Sequence, residues 1–230
     1  SYSLSDCGNI EEVLPDEIED CIYAIASEGI AALNTANGWV GSLSALCPDE
    51  GYWFVNQCDD LEFTFDEPVS FTSNVALNEP PYSYHQSSKQ AFYFIESVEG
   101  IGIGDWILAY NGDEVIGARQ WQGSIIDVPV MGDDGTDHTA GYIEYGMEPQ
   151  FKLLKAGELI SLEGELPAWS NNEFFKIIRL REELEIYYPD INLFSDELEL
   201  EFEDEVQIYP TSAHQKFPEV VSSIDGVLHL

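Results

Sequence analysis

The stretch that decides the fold is DWILAYNGDEVIGARQWQ, residues 105–122, with its continuation MGDDGTD at residues 131–137. Apolar Trp106, Leu108 and Tyr110 precede, and Val115 and Ala118 follow, the turn Asn111-Gly112-Asp113, whose residue types tolerate positive φ. That pattern predicts a β-hairpin. Outward from it, short β runs separated by turns are expected at 91–98, 106–110, 115–121, 125–130, 150–154, 158–162, 174–180, 184–188, 198–202 and 206–209. Ten such runs suffice for two sheets, so residues 90–215 are expected to form an antiparallel β-sandwich, with Trp106 and Trp121 filling its interior. The chain as a whole reads as mainly β.

Residues 1–67 read as a small α+β module that precedes the sandwich. Ile18, Cys21, Ile22 and Ile25 keep the i, i+3, i+4, i+7 spacing of a helix, behind acidic Asp16, Glu17, Glu19 and Asp20 that suit a helix N-terminus; Pro15 fits the first turn. Strands are expected at 28–33, 38–43, 51–56 and 61–65, the last because Leu61, Phe63 and Phe65 alternate with Glu62 and Thr64. Residues 68–89 collect Pro, Asn and Ser and read as a connection. In DELELEFEDE, residues 196–205, Leu198, Leu200 and Phe202 are expected to face in and the intervening glutamates out, a row of like charges that repels itself. Residues 216–230 form a strand-like tail carrying Val220, Val221, Ile224, Val227, Leu228 and Leu230. Such a tail must be paired, either within its own domain or with another subunit.

Forty-four Asp and Glu stand against 8 Lys and Arg, a formal net charge of −36. That field repels phosphate backbones and anionic headgroups, so neither a nucleic-acid partner nor membrane insertion is expected. The acid excess either keeps the protein soluble or attracts cations, Ca²⁺ foremost. No run of 18 apolar residues occurs, and the first residues, SYSLSDCGN, have neither a basic nor an apolar leader region, so a secreted form is expected to have lost its signal already.

Cys7, Cys21, Cys47 and Cys58 all fall in the first quarter of the chain. They contain no C-x-x-C pair and have no His among them, which argues against zinc. An even number in one segment suggests two disulfides and an oxidising, extracellular compartment, with reduced buried thiols as the alternative. Of the three possible connectivities the local one, Cys7–Cys21 with Cys47–Cys58, is expected because short loops close easily.

WVGSL at 39–43 followed by GYWF at 51–54 resembles a small module of large secreted bacterial surface proteins, in which a Gly-Trp-Asn strand opens the module and a Gly-Tyr-Trp strand closes it. A companion β module of the same proteins is similar to the second segment through QAFYF at 90–94, DWI at 105–107, NGD at 111–113, VIGAR at 115–119 with Trp121, DVPVMGDDG at 127–135, Gly141-Tyr142 and PQFK at 149–152. Together the two cover most of residues 28–155. The opening Gly-Trp-Asn strand is absent before Ser1, which implies an open sheet edge in the first module. With the apolar tail, this suggests head-to-tail strand exchange and a filament.

Candidate chemistry is sparse. Asp133, Asp134 and Asp137 sit around Gly132 and Gly135, with Asp127 on the preceding strand; such a set reads either as a Ca²⁺ site, which wants six to eight oxygens, or as a solvated acidic turn. Arg119, one of few cations, is expected to stack on a ring or to pair with a buried acid such as Asp127. His85, His138, His214 and His229 are scattered, and neither a G-x-S-x-G elbow nor an H-E-x-x-H occurs. The expectation is therefore a non-enzymatic extracellular structural protein, a subunit of a surface filament or adhesive assembly that pairs with itself. The alternative is a carbohydrate-binding module that stacks surface glycans on Trp39, Trp53, Trp106, Trp121 or Trp169.

Overall fold

The structure is a computed structural model that describes residues 2, 4–69, 74, 77–183, 221–222 and 228–229. The chain divides into two compact units, 1–184 and 185–230. In chain order the first holds β1 (Gly8–Asn9), α1 (Ile10–Val13), α2 (Asp16–Glu19), β2 (Ile22–Ala26), β3 (Ala31–Thr35), β4 (Gly38–Gly41), β5 (Ala45–Leu46), β6 (Trp53–Asn56), β7 (Gln90–Ile95), β8 (Trp106–Asn111), β9 (Glu114–Gln120), β10 (Ile126–Met131), β11 (Gln150–Lys155), β12 (Glu158–Glu163), β13 (Phe174–Ile177) and β14 (Arg181–Glu182). The second holds β15 (Val221–Ser222) paired antiparallel with β16 (Leu228–His229). The expected strands at 184–188, 198–202 and 206–209, the acidic ladder at 196–205 and most of the tail lie outside the described residues.

The protein is mainly β, with a small disulfide-bonded, helix-containing module ahead of a β-sandwich. In the module, an antiparallel sheet runs in the order β4-β3-β2-β6. The helix expected through Ile25 is only the single turn of α2, and the chain then enters β2. The cause is a bulge between Ile22 and Ala24. A strand places every second residue on one face, but the extra residue brings Ile22 and Ile25, three apart, onto the same face, where they meet Ile10, Val13, Leu14 and Ile18 from the helical turns. The spacing therefore imitates a helix. At 61–65 no ladder forms; Leu61, Phe63 and Phe65 instead pack against the same core, with Phe63 edge-on to Phe65 and Tyr2 edge-on to Phe65.

The sandwich faces a sheet of order β10-β7-β13 onto one of order β14-β12-β11-β8-β9. All pairs are antiparallel except β13, which runs parallel to β7. The expected hairpin is β8–β9, turning at Gly112 with φ of 60°. Alternate residues of β7 serve two cores. Ala91, Tyr93 and Ile95 join Ile107, Ala109, Phe151 and Leu153 inside the sandwich. Phe92 and Phe94 point the other way, onto Ala24, Ala26, Ala31 and Leu33 of the N-terminal sheet. Residues 1–184 are thus three stacked β layers, with β10-β7-β13 in the middle. Burying each phenylalanine between layers contributes on the order of 1.5–3 kcal/mol. Trp121 lies in the sandwich as expected, but Trp106 does not: it packs with Leu108, Tyr110 and Ala118 on the opposite face of its sheet. The run WILAY is apolar in both registers, so alternation alone does not choose between them.

The bridges are Cys7–Cys47 and Cys21–Cys58, which overturns the local pairing. Strand register decides it. Gly8 pairs with Leu46 across β1 and β5, so Cys7 and Cys47 stand opposite one another, their Cα atoms 4.1 Å apart. Ile22 pairs with Asn56 across β2 and β6, and the Gln57 amide donates to the Cys21 carbonyl oxygen at 2.9 Å, which brings Cys58 beside Cys21. Spanning 40 and 37 residues, each bridge removes about 4 kcal/mol of unfolded-state loop freedom in the chain-entropy account. Mass mapping of a non-reducing digest is expected to yield these two linked pairs and neither local one. A tighter packing constraint is Gly117 on β9, where a Cβ would stand 1.7 Å from the Pro129 carbonyl oxygen of β10. Gly117→Ala is expected to cost about 1–3 kcal/mol of stability or more and so to lower the urea midpoint, and an unchanged midpoint would contradict this layer contact.

Candidate functional site

Scarcity of cations singles out Arg119, and the fold places it at the join of the three layers. It projects from β9 toward β10, where its Nε donates to the Asp127 carbonyl oxygen at 2.8 Å and its Nη2 to the Asp127 carboxylate at 3.0 Å. Nη2 also donates to the Gly29 carbonyl oxygen at 2.5 Å, in the loop between β2 and β3. Asp127 answers in the same direction: its carboxylate accepts from the Ala31 amide at 3.0 Å, the Ser42 amide at 2.6 Å and the Ser42 hydroxyl at 2.7 Å. Its side chain is fully buried. Burial pushes the Asp127 carboxyl above its ordinary value, while the Arg119 guanidinium and the Ser42 donors pull it back.

Beside this pair lies a cavity of about 280 Å³. Its wall is assembled from segments far apart in sequence: the end of β4 with Ser42 and Ser44, the connection at Leu77, Asn78 and Pro80, Tyr84, Trp106 at the start of β8, residues 118–120 of β9 and the loop at 122–126. Asn78 donates to Gln120, and Gln120 donates to the Gly104 carbonyl oxygen at 2.9 Å, so part of the rim is held by amide bonds. Burial raises the Tyr84 hydroxyl above its ordinary value, with Arg119 opposing, so Tyr84 enters neutral solution as a neutral phenol.

The acidic loop folds on itself. One Asp134 carboxylate oxygen accepts from the Thr136 amide at 3.1 Å, the Thr136 hydroxyl at 2.8 Å and the Thr139 hydroxyl at 2.7 Å. The other accepts from the Ser88 amide at 3.1 Å and the Ser88 hydroxyl at 3.2 Å, which ties the connection to the exit of β10. Asp133 caps the Gly135 amide at 2.7 Å. Asp127, assigned with these residues to one cation, is instead turned into the layer join. Among the described residues no three His, Cys, Asp or Glu side chains converge on a point that could hold a metal. The structure does bring together His85 and His138, with ring centroids 5.0 Å apart, which lie 53 residues apart in sequence and share no motif. Of the tail residues, only the backbone pairing of Val221 with His229 and of Ser222 with Leu228, in β15 and β16, falls among the described residues.

Two expectations follow from these geometries. Arg119→Ala or Asp127→Ala leaves the partner charge buried and unanswered, and is expected to cost about 3–5 kcal/mol in a urea melt. The hydroxyl and amide donors around Asp134, Thr139 first, hold its carboxyl well below the usual range. A depressed folded-state value stabilises the fold above the unfolded carboxyl's pKa and loses that contribution as pH falls through the folded one. A carbon-detected NMR titration is expected to show Asp134 still ionised where ordinary aspartates have protonated, and a normal midpoint would contradict the five-bond loop. Compared with family models, with curated proteins and with solved structures, the chain finds no match.

Proposed function

We propose that the protein is a non-enzymatic structural module of the extracellular surface, joined to its neighbours by strand addition, and that the outer edge of β6 is the acceptor. The observation that carries this is the state of that edge. β6 is the terminal strand of the order β4-β3-β2-β6, and among the described residues no strand pairs with its outer side. Its sequence, WFVN, holds no charge and no proline, two of the devices that blunt an edge, in a chain with 44 acidic residues to spare. Trp53 on that strand is 49% exposed.

Two disulfides support an oxidising compartment, and no described helix is long and apolar enough to cross a membrane. The likeness of WVGSL and GYWF to surface-protein modules points the same way. The donor in this reading is the apolar tail at 217–230. Its own β15–β16 ladder, as far as the described residues show, is two residues a side, and a ladder of that size gives up little when it opens to complete a neighbour's sheet. A surface of charge −36 keeps subunits apart except where strands match.

Electron microscopy and light scattering of the purified protein are expected to show linear polymers. Trp53→Lys and deletion of residues 217–230 should each abolish them while leaving the thermal melt cooperative. A monodisperse monomer at all concentrations sinks the reading.

A further inference from the structure

We infer that the cavity beside Arg119 is a binding site for a neutral sugar unit of a glycan, a property beyond strand-mediated assembly. The first argument is charge. Of 230 residues, 44 are Asp or Glu, yet among the described residues none of them lines this cavity. A cation entering it would therefore meet no carboxylate. The one charged group that the described residues bring to the wall, Arg119, is already answered by Asp127 at 3.0 Å, and the field of the whole chain repels anions. What remains is a neutral ligand.

Lining chemistry narrows it further. Trp106 and Tyr84 bring aromatic rings to the wall against which the C–H face of a pyranose can lie, and Tyr84 stays a neutral phenol whose oxygen also meets the Ala118 backbone. Around them stand groups with hydrogen-bonding capacity to spare. The side chains of Gln122 and Ser124 line the cavity and make no hydrogen bond among the described residues. Asn78 spends Nδ2 on Gln120, leaving its carbonyl oxygen, and Arg119 donates through Nε and Nη2, leaving Nη1. A purely apolar ligand would bury these amides and hydroxyls without partners, which costs more than its contacts return. A polyhydroxylated ring answers both the aromatic faces and the polar rim. The volume, about 280 Å³, sits at the small end for ligand sites and suits one or two rings rather than a folded partner.

The test titrates the protein with a panel of neutral gluco-, galacto-, manno- and xylo-oligosaccharides and their uronic-acid or sialylated counterparts, read by tryptophan fluorescence and calorimetry. It is run on the wild type and on Trp53→Lys, so that loss of assembly and loss of sugar binding are read separately. At least one neutral sugar is expected to bind both chains alike, and Trp106→Ala should weaken it roughly tenfold or more. Gln122→Ala, which removes a rim group without touching the core, should weaken the same sugar about tenfold and stands in should Trp106→Ala fail to fold. Silence across the neutral panel at millimolar sugar, a preference for the acidic counterparts, or binding undiminished in folded Trp106→Ala or in Gln122→Ala overturns the assignment.

Discussion

Arg119 and Asp127 bring opposite charges into a place where their side chains are 5% and 0% exposed, and together with the donors and acceptors around them they span all three layers. Removing two ions from water costs several kcal/mol each, and a well-packed apolar pair would often be as stable. The gain here is positional. The guanidinium is a rigid planar fork, so its bonds to the Asp127 backbone, the Asp127 carboxylate and Gly29 fix β9, β10 and the β2–β3 loop relative to one another. The carboxylate in turn holds Ala31 at the start of β3 and Ser42 just past β4. Apolar contacts such as Phe92 and Phe94 on alanines tolerate sliding, whereas these directional bonds do not. Layer register, and with it the shape of the adjoining cavity, depends on this one pair.

The middle sheet explains why the N-terminal module and the sandwich form one body. β7 is buried along its whole length, so its sequence, QAFYFI, shows no polar face at all. Small residues on the N-terminal sheet make room for the large ones: Ala24, Ala26 and Ala31 receive Phe92 and Phe94. Gln90, at the head of β7, extends the same join with polar bonds, donating to the Ser27 carbonyl oxygen at 2.9 Å and accepting from the Gly29 amide at 3.0 Å. Each layer thereby lacks a free interior face, and none of the three is complete alone.

Much of this was legible in the sequence, and what was not has definite causes. The hairpin at 105–122 and the sandwich strands were readable because turns and β runs are local signals. The bulged β2 was not, because one inserted residue turns period two into the three-residue step of a helix. Disulfide connectivity was misread from chain entropy, a property of the unfolded state, when the partners are set by strand register in the folded one. Trp106 was placed in the wrong core because both registers of its strand are apolar. At the site, scarcity alone singled out Arg119, and Asp127 was among its named partners; the role of Asp127 as a cation ligand was a different matter, since proximity in sequence to Asp133 and Asp134 says nothing of which face a β residue occupies. The cavity gave no sequence signal. Its wall comes from residues between 41 and 126 that share neither spacing nor motif, and only packing assembles them.

Charge distribution draws these features into one design. A chain of net charge −36 resists condensation unless particular surfaces are exempted, because like charges repel across any random contact. The four residues of β6 and the described lining of the cavity beside Arg119 both lack acidic residues. An edge strand and a cavity are also the two kinds of surface where backbone groups or side-chain amides stand ready for partners. Exemption at both is what specificity requires in such a field: repulsion rejects most encounters at long range, and short-range hydrogen bonding and stacking act only where the repulsion is locally absent.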